Sequence, residues 1–335
     1  MKTFLAACLF ATLPVFASAQ DITADIVENH VLPGFATLAT QGQALSDAAS
    51  SDCTATSPPL RAAYGTAFDA WVAVSHMRFG PTEAEDRAFA LAFWPDSRGA
   101  TPKALNTLIR DADPIAQSAE AYRDMSIAAR GFYAMEFLLY DPAISTAGDD
   151  DYRCQLVRTI AADIASLTHD IADEWQGSYA ALMTNPTENG IYRTDLEAQQ
   201  ELFKALTTGL QLTSDARLAR PLGTFDRPRP TRAEAWRSGR SARHVAIALN
   251  SLADLGARLA KDDPALQTEL NAAFDRAIAQ VAALDDPAFA GVADPVSRIK
   301  VEAIRSRVEE IRQIASEDLG TSLGVASGFN ALDGD

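Results

Sequence analysis

The sequence predicts an all-α protein made of two four-helix-bundle-like domains. Apolar residues recur at three- and four-residue spacing in nearly every segment, the mark of amphipathic helices. β-Branched residues are never gathered into alternating runs, so strands are not expected. Glycine and proline are scattered and fall mainly where the helical pattern breaks.

The first helix is expected from about Asp21 to Ala49, with Ile22, Ile26, Leu38 and Leu45 on its inner stripe and a bend at Pro33-Gly34. Ser57-Pro58-Pro59 opens a second helix through Phe79, which Gly80-Pro81 stops. A short helix and the loop around Trp94-Pro95-Asp96 follow, and Thr101-Pro102 reads as the cap of a helix to Arg110. Asp113-Pro114 opens a helix that carries Arg130 to Tyr140 and ends at Asp141-Pro142. A long helix spans roughly Asp151 to Met183, after which Asn185-Pro186 and Asn189-Gly190 break the pattern. Four more helices are expected near Thr194 to Ala219, Thr231 to Lys261, Pro264 to Leu284 and Pro295 to Glu317. The break divides an N-terminal bundle, residues 20–190, from a C-terminal bundle, residues 191–319, with a flexible tail over 320–335. Residues 220–230 contain three prolines and cannot be helical throughout. They read either as a surface connector or as a strap over a cleft, with Arg220, Arg227, Arg229 and the nearby Arg232 meeting acidic groups.

Residues 1–19 have the make-up of a secretory signal peptide. Lys2 supplies the charge, Phe4 to Phe16 the apolar stretch, and Ala17-Ser18-Ala19 the cleavage site. Cys8 has too little apolar sequence before it for a lipoprotein signal. The signal looks bacterial, so cleavage after Ala19 and a periplasmic location are expected, and no later stretch is apolar for long enough to span a membrane. Two cysteines then remain, Cys53 and Cys154, and an oxidising compartment favours a disulfide between them. The net charge of −16 argues against nucleic acid or an anionic membrane surface as partner.

The residues that invite a chemical reading are Gly131, Tyr133 and Glu136. Tyr133 and Glu136 are three apart and project from neighbouring points of one helical face. Phe132, Met135, Phe137, Leu138 and Leu139 surround them. A carboxylate in such company must be paired, hydrogen-bonded, protonated or bound to metal. Gly131 inside a helix suggests a close backbone approach. A buried Glu–Arg pair and a ligand cavity both satisfy these demands.

Gly131-Phe132-Tyr133-Ala134-Met135-Glu136 resembles the G-x-H-x-x-E motif of the imelysin-like proteins, with Tyr133 in place of the histidine. Leu32-Pro33-Gly34-Phe35, Ala70-Trp71, Phe79-Gly80-Pro81 and Trp94-Pro95 are similar to further stretches of that family. The resemblance implies a two-bundle helical fold with a pocket near the motif. It also implies an association with iron acquisition proteins of the cell envelope, with metal binding or peptidase activity. Tyrosine for histidine weakens a zinc or soft-iron site, because a phenol coordinates well only when deprotonated, typically by ferric iron.

Another histidine could stand in. His76, placed towards the end of the second helix with Asp69 on the same face and Arg78 close by, is the first candidate, and His30 beside Pro33-Gly34 the second. His169 with Asp173 has metal-binding spacing, but Asp163, Asp170 and Glu174 make a solvated acidic face the better reading. His244 lies in a basic helix start, Ser238 to His244. No H-E-x-x-H, H-x-x-E-H, G-x-S-x-G or glycine-rich phosphate loop occurs. The expectation is a periplasmic binding protein connected with iron handling and without turnover. Tyr133, Glu136, His76, Arg78 and His30 would form its ligand pocket, Arg227 or Arg229 would help organise the charge, and Glu136 with His76 would be the metal ligands for iron or zinc. The ligand would be a metal ion or a small molecule. A metal-dependent peptidase and a non-catalytic scaffold are the alternatives.

Overall fold

Helix boundaries follow capping chemistry more closely than hydrophobic spacing. The computed structural model describes residues 19–325, so the expected signal segment up to residue 18 and the tail beyond residue 325 lie outside the described residues. α1 (residues 19–51) is continuous through Pro33, because a π-helical turn, Val27–Val31, widens the spiral just before it. Proline lacks an N–H, and such a turn leaves room for a residue without one. α2 (Pro58–Val74) is capped by Ser57, whose side chain accepts from the Leu60 amide. It stops short of Phe79, so His76 lies beyond the helix rather than in its last turn.

α3 (Ala100–Asp111) is capped by Asp96, whose two carboxylate oxygens accept the Ala100 and Thr101 amides at 2.9 Å each, and not by Thr101. The helix expected to run on from Asp113 is instead a chain of short turns. Asp113, Ser118 and Ser126 each bond a nearby amide and restart the backbone. Only then does α4 (Gly131–Tyr140) begin, followed by α5 (residues 150–184), which contains a π-turn at Trp175–Tyr179. α6 (residues 195–222) opens under a Thr194 cap and widens into a π-turn at Leu212–Leu218. Residues 223–240 form an irregular strap with a single bridge between Thr224 and Arg227. α7 (Ser241–Leu259) therefore starts ten residues later than the expected Thr231. α8 (Pro264–Ala282) and α9 (residues 295–322) complete the fold, and α9 reaches past residue 320 into the segment expected to be flexible.

The protein is all-α, with no strand among the described residues. α1 lies along α5 and α2, and α4 packs on α5; α7 pairs with α8, and α8 with α9. The two sets meet where α1 touches α6 and α2 touches α7. Ring stacking locks these layers: Phe35 lies on Trp175 with centroids 5.4 Å apart, and Phe68 on Phe132 at 4.8 Å. Each such pair adds about 0.5–1.5 kcal/mol beyond its buried area. Cys53, just after α1, is joined to Cys154 on α5, with Cα atoms 5.1 Å apart. Among the described residues no helix is long and apolar enough to cross a membrane.

Candidate binding site

The start of α4 is fixed from two sides. Gly131 is its first residue, not an interior one, and adopts a φ of 72°. A Cβ there would fall on the carbonyl oxygens of Ala90 and Leu91, so the backbone approach inferred from the sequence is real. Arg130 at the N-cap is buried and grips Asp163 of α5 through two bonds of 2.9 and 2.7 Å. Asp163 is only 1 % exposed and belongs to this pair, not to a solvated acidic face. His169 and Asp173 do lie exposed on α5.

From this start Tyr133 points into a buried polar network. Its hydroxyl donates to Glu234 Oε1 at 2.7 Å, and Arg217 Nε donates to Glu234 Oε2 at 2.7 Å. Arg217 also reaches Ser75 Oγ at 3.3 Å. His244 Nδ1 stands 3.3 Å from Glu234 Oε2. Burial alone would raise the Glu234 pKa; the charges of Arg217 and His244 outweigh it and hold the carboxylate well below its usual range. Tyr133 shifts the other way, because burial, then the adjacent Glu234 charge, push its phenol far above the ordinary value. Tyr133 is therefore a proton donor and not a phenolate.

Glu136 is 2 % exposed and is not ion-paired. Its Oε1 accepts both the backbone N–H of Ser238 at 2.9 Å and the Ser238 hydroxyl at 2.8 Å. Burial raises its pKa, and the Ser238 bonds only partly offset that. Ala235 with φ 48° and Gly239 with φ 68° turn the strap so that Ser238 meets the helix. The contact on α4 is thus made by Ser238, downstream of the 220–230 stretch singled out in the sequence, and among the described residues Arg220, Arg227, Arg229 and Arg232 meet no acidic group.

In front of Tyr133 and Glu136 lies a cleft of about 210 Å³. Its walls include Phe93, Trp94, Phe137 and Trp236. Arg220, near the end of α6, and Arg232 of the strap line it, whereas Arg227 and Arg229 of the strap do not. Arg237 is sandwiched, 3.8 Å from the Phe137 ring centre and 4.6 Å from that of Trp236, and is ion-paired to Asp141 at 2.8 Å.

The other sequence candidates lie elsewhere. His76 Nε2 is 3.1 Å from His30 Nε2, and His30 Nδ1 is 2.7 Å from Asp254 Oδ2. This chain joins α1, the end of α2 and α7, and neither histidine lines the cleft. Burial, then His30 and Arg217, drive the His76 pKa well below the usual histidine value. Arg78 is paired with Glu83 and stacked 4.8 Å from the Phe89 ring centre. The structure therefore brings Tyr133 and Glu136 together at one cleft and sets His30, His76 and Arg78 apart from it.

A directly held metal does not fit these donors. Glu136 Oε1 is engaged by Ser238, the phenol of Tyr133 keeps its proton, and His76 is bonded to His30. No group of three or more His, Cys, Asp or Glu suited to a metal occurs among the described residues. Arg217, Glu234 and Ser238 were missed in the sequence. Glu234 sits in a strap without periodicity, and Arg217 lies in a π-turn that shifts helical register.

A family model described as Imelysin, peptidase M75, matches residues 31–314. An imelysin-like protein from Psychrobacter arcticum 273-4 is similar in structure, with a TM-score of 0.79 and 21 % identity over 95 % of this chain and all of that one. A protein described as an iron-regulated protein A precursor, from Parabacteroides distasonis ATCC 8503, gives 0.74 and 15 % over 89 % of this chain and 94 % of its own. At such identities the likeness is one of fold. No curated protein matches the chain.

Proposed function

The chain belongs to the imelysin family, and from that premise we propose that it is an exported binding protein without turnover, whose small, iron-related ligand lodges in the cleft before Tyr133 and Glu136. The observation that carries this reading is the closure of the motif's own groups on one another. Tyr133 and Arg217 satisfy Glu234, and Ser238 takes one oxygen, Oε1, of Glu136. A metallopeptidase needs about three ligands and a free general base at one point, whereas Glu234, Tyr133 and one oxygen of Glu136 are taken up by protein partners and no group of three His, Cys, Asp or Glu suited to a metal occurs among the described residues. The aromatic and cationic cleft beside them is suited to capture. Iron would arrive within a chelate, in keeping with the iron-regulated description of the Parabacteroides protein. The Cys53–Cys154 disulfide supports an oxidising compartment such as the periplasm.

Trp94 and Trp236 line the cleft and make it fluorescent. Ferric citrate is expected to quench that emission saturably. Ser97→Trp, a change at an exposed residue on the cleft's edge, is expected to block the effect. Zinc-restored, chelator-sensitive hydrolysis of a protein substrate would replace this reading with the peptidase one.

A further inference from the structure

We propose that the cleft takes a small monocarboxylate with a flat apolar body, its carboxylate held by Arg220 and Arg232. The inference rests on the binding reading above and names the arm of a chelate that would enter the cleft.

The protein carries 45 acidic against 29 basic residues, so an arginine without a carboxylate is unexpected. The arginines nearest the motif are matched: Arg217 has Glu234, Arg130 has Asp163, and Arg237 has Asp141. Arg220 and Arg232 both face the cleft, and neither forms an ion pair or a side-chain hydrogen bond among the described residues. Arg220 Nε is sealed from solvent with no acceptor, and the hydroxyl of Thr101, another lining residue, is likewise sealed and unpartnered. A buried polar atom left unpaired costs about 1–3 kcal/mol, and an anion in the cleft would supply acceptors to the arginine. Burial, then the charge of Arg232, lower the Arg220 pKa, which agrees with two cations sharing one space.

The remaining walls define the body of the ligand. Trp94 lies 21° from parallel to Tyr133, with Arg220 over its outer face at 5.6 Å. Phe93, Phe137 and Trp236 add flat apolar surface. At about 210 Å³ the space falls below the range of about 300–1,000 Å³ common for drug-sized ligands, so it suits one substituted ring. Phosphate has no apolar body to cover Phe93, Phe137 and Trp236, so these walls favour a carboxylate carried on a ring. Arginine's planar fork matches a carboxylate edge to edge.

Calorimetric titration of the mature protein with benzoate, and separately with inorganic phosphate, tests this. Benzoate is expected to bind at one site per chain. Arg232→Gln, at an exposed residue whose loss leaves the fold intact, should weaken it about ten- to hundredfold, and Arg220→Gln likewise. Phosphate should give no saturable heat. Benzoate binding that is absent, or unchanged in both variants, overturns the proposal, as does phosphate binding with the same arginine dependence. If ferric citrate still quenches the protein and Ser97→Trp still blocks it while benzoate fails, the carboxylate assignment alone is lost. If both ligands fail, the binding reading falls with it.

Discussion

The hydroxyl of Tyr133 donates to the carboxylate of Glu234 across 2.7 Å, spanning 101 positions of sequence. This bond gives Tyr133 a defined task. A phenol held protonated by burial can donate but cannot serve as an anionic ligand, so Tyr133 acts here as a structural donor.

Tyr133→Phe keeps the ring that lies 5.2 Å edge-on to Phe68 and removes only the donor. Glu234 keeps Arg217 but loses one of its buried partners. Denaturant unfolding should show a loss of about 1–3 kcal/mol. An unchanged midpoint would mean that the bond is not formed in solution.

Asp163→Asn leaves the Arg130 guanidinium buried beside a neutral amide at the start of the motif helix. Breaking a buried pair on one side costs about 3–5 kcal/mol. A loss under about 1 kcal/mol, the range of exposed pairs, would show that Arg130 finds water instead.

Gly131→Ala places a methyl group against the Ala90 and Leu91 carbonyls in a left-handed backbone. Strain of this kind costs about 1–3 kcal/mol before any clash. The variant should melt well below the parent, and a melting point equal to it would contradict the geometry.

His76 sets an acid sensitivity. Its folded pKa is depressed well below the usual histidine value of 6.5, so the unfolded chain binds the extra proton first. The stability it contributes is present above about pH 6.5 and is lost as pH falls from there through the lower folded value. Over that window the slope should approach about 1.4 kcal/mol per pH unit for one proton. His76→Gln should flatten the curve there; a variant and parent of equal slope would exclude this origin.

Much of the fold was legible because amphipathic spacing and caps are local. Ser57 and Pro264 mark helix starts in sequence and in space alike. The segment after Asp113 misled because Ser118 and Ser126 offer competing turns inside an apolar pattern. The burial of Glu136 could be read from its apolar neighbours. Its partner could not, since Ser238 is 102 positions away on an irregular strap. Asp163 was misjudged by the company of Asp170 and Glu174, because charge composition does not say which face of α5 meets α4. His30 and His76 were recognised as related, but their contact rests on a π-turn that spacing does not reveal.

The central claim is that the motif's acid is held by the strap and binds no metal itself. Anomalous diffraction from crystals soaked in zinc and in ferric ions addresses it directly. The account predicts no peak within coordination distance of Glu136 or Tyr133, with Glu136 still on Ser238. A peak bonded to Glu136, with Ser238 displaced, would contradict it.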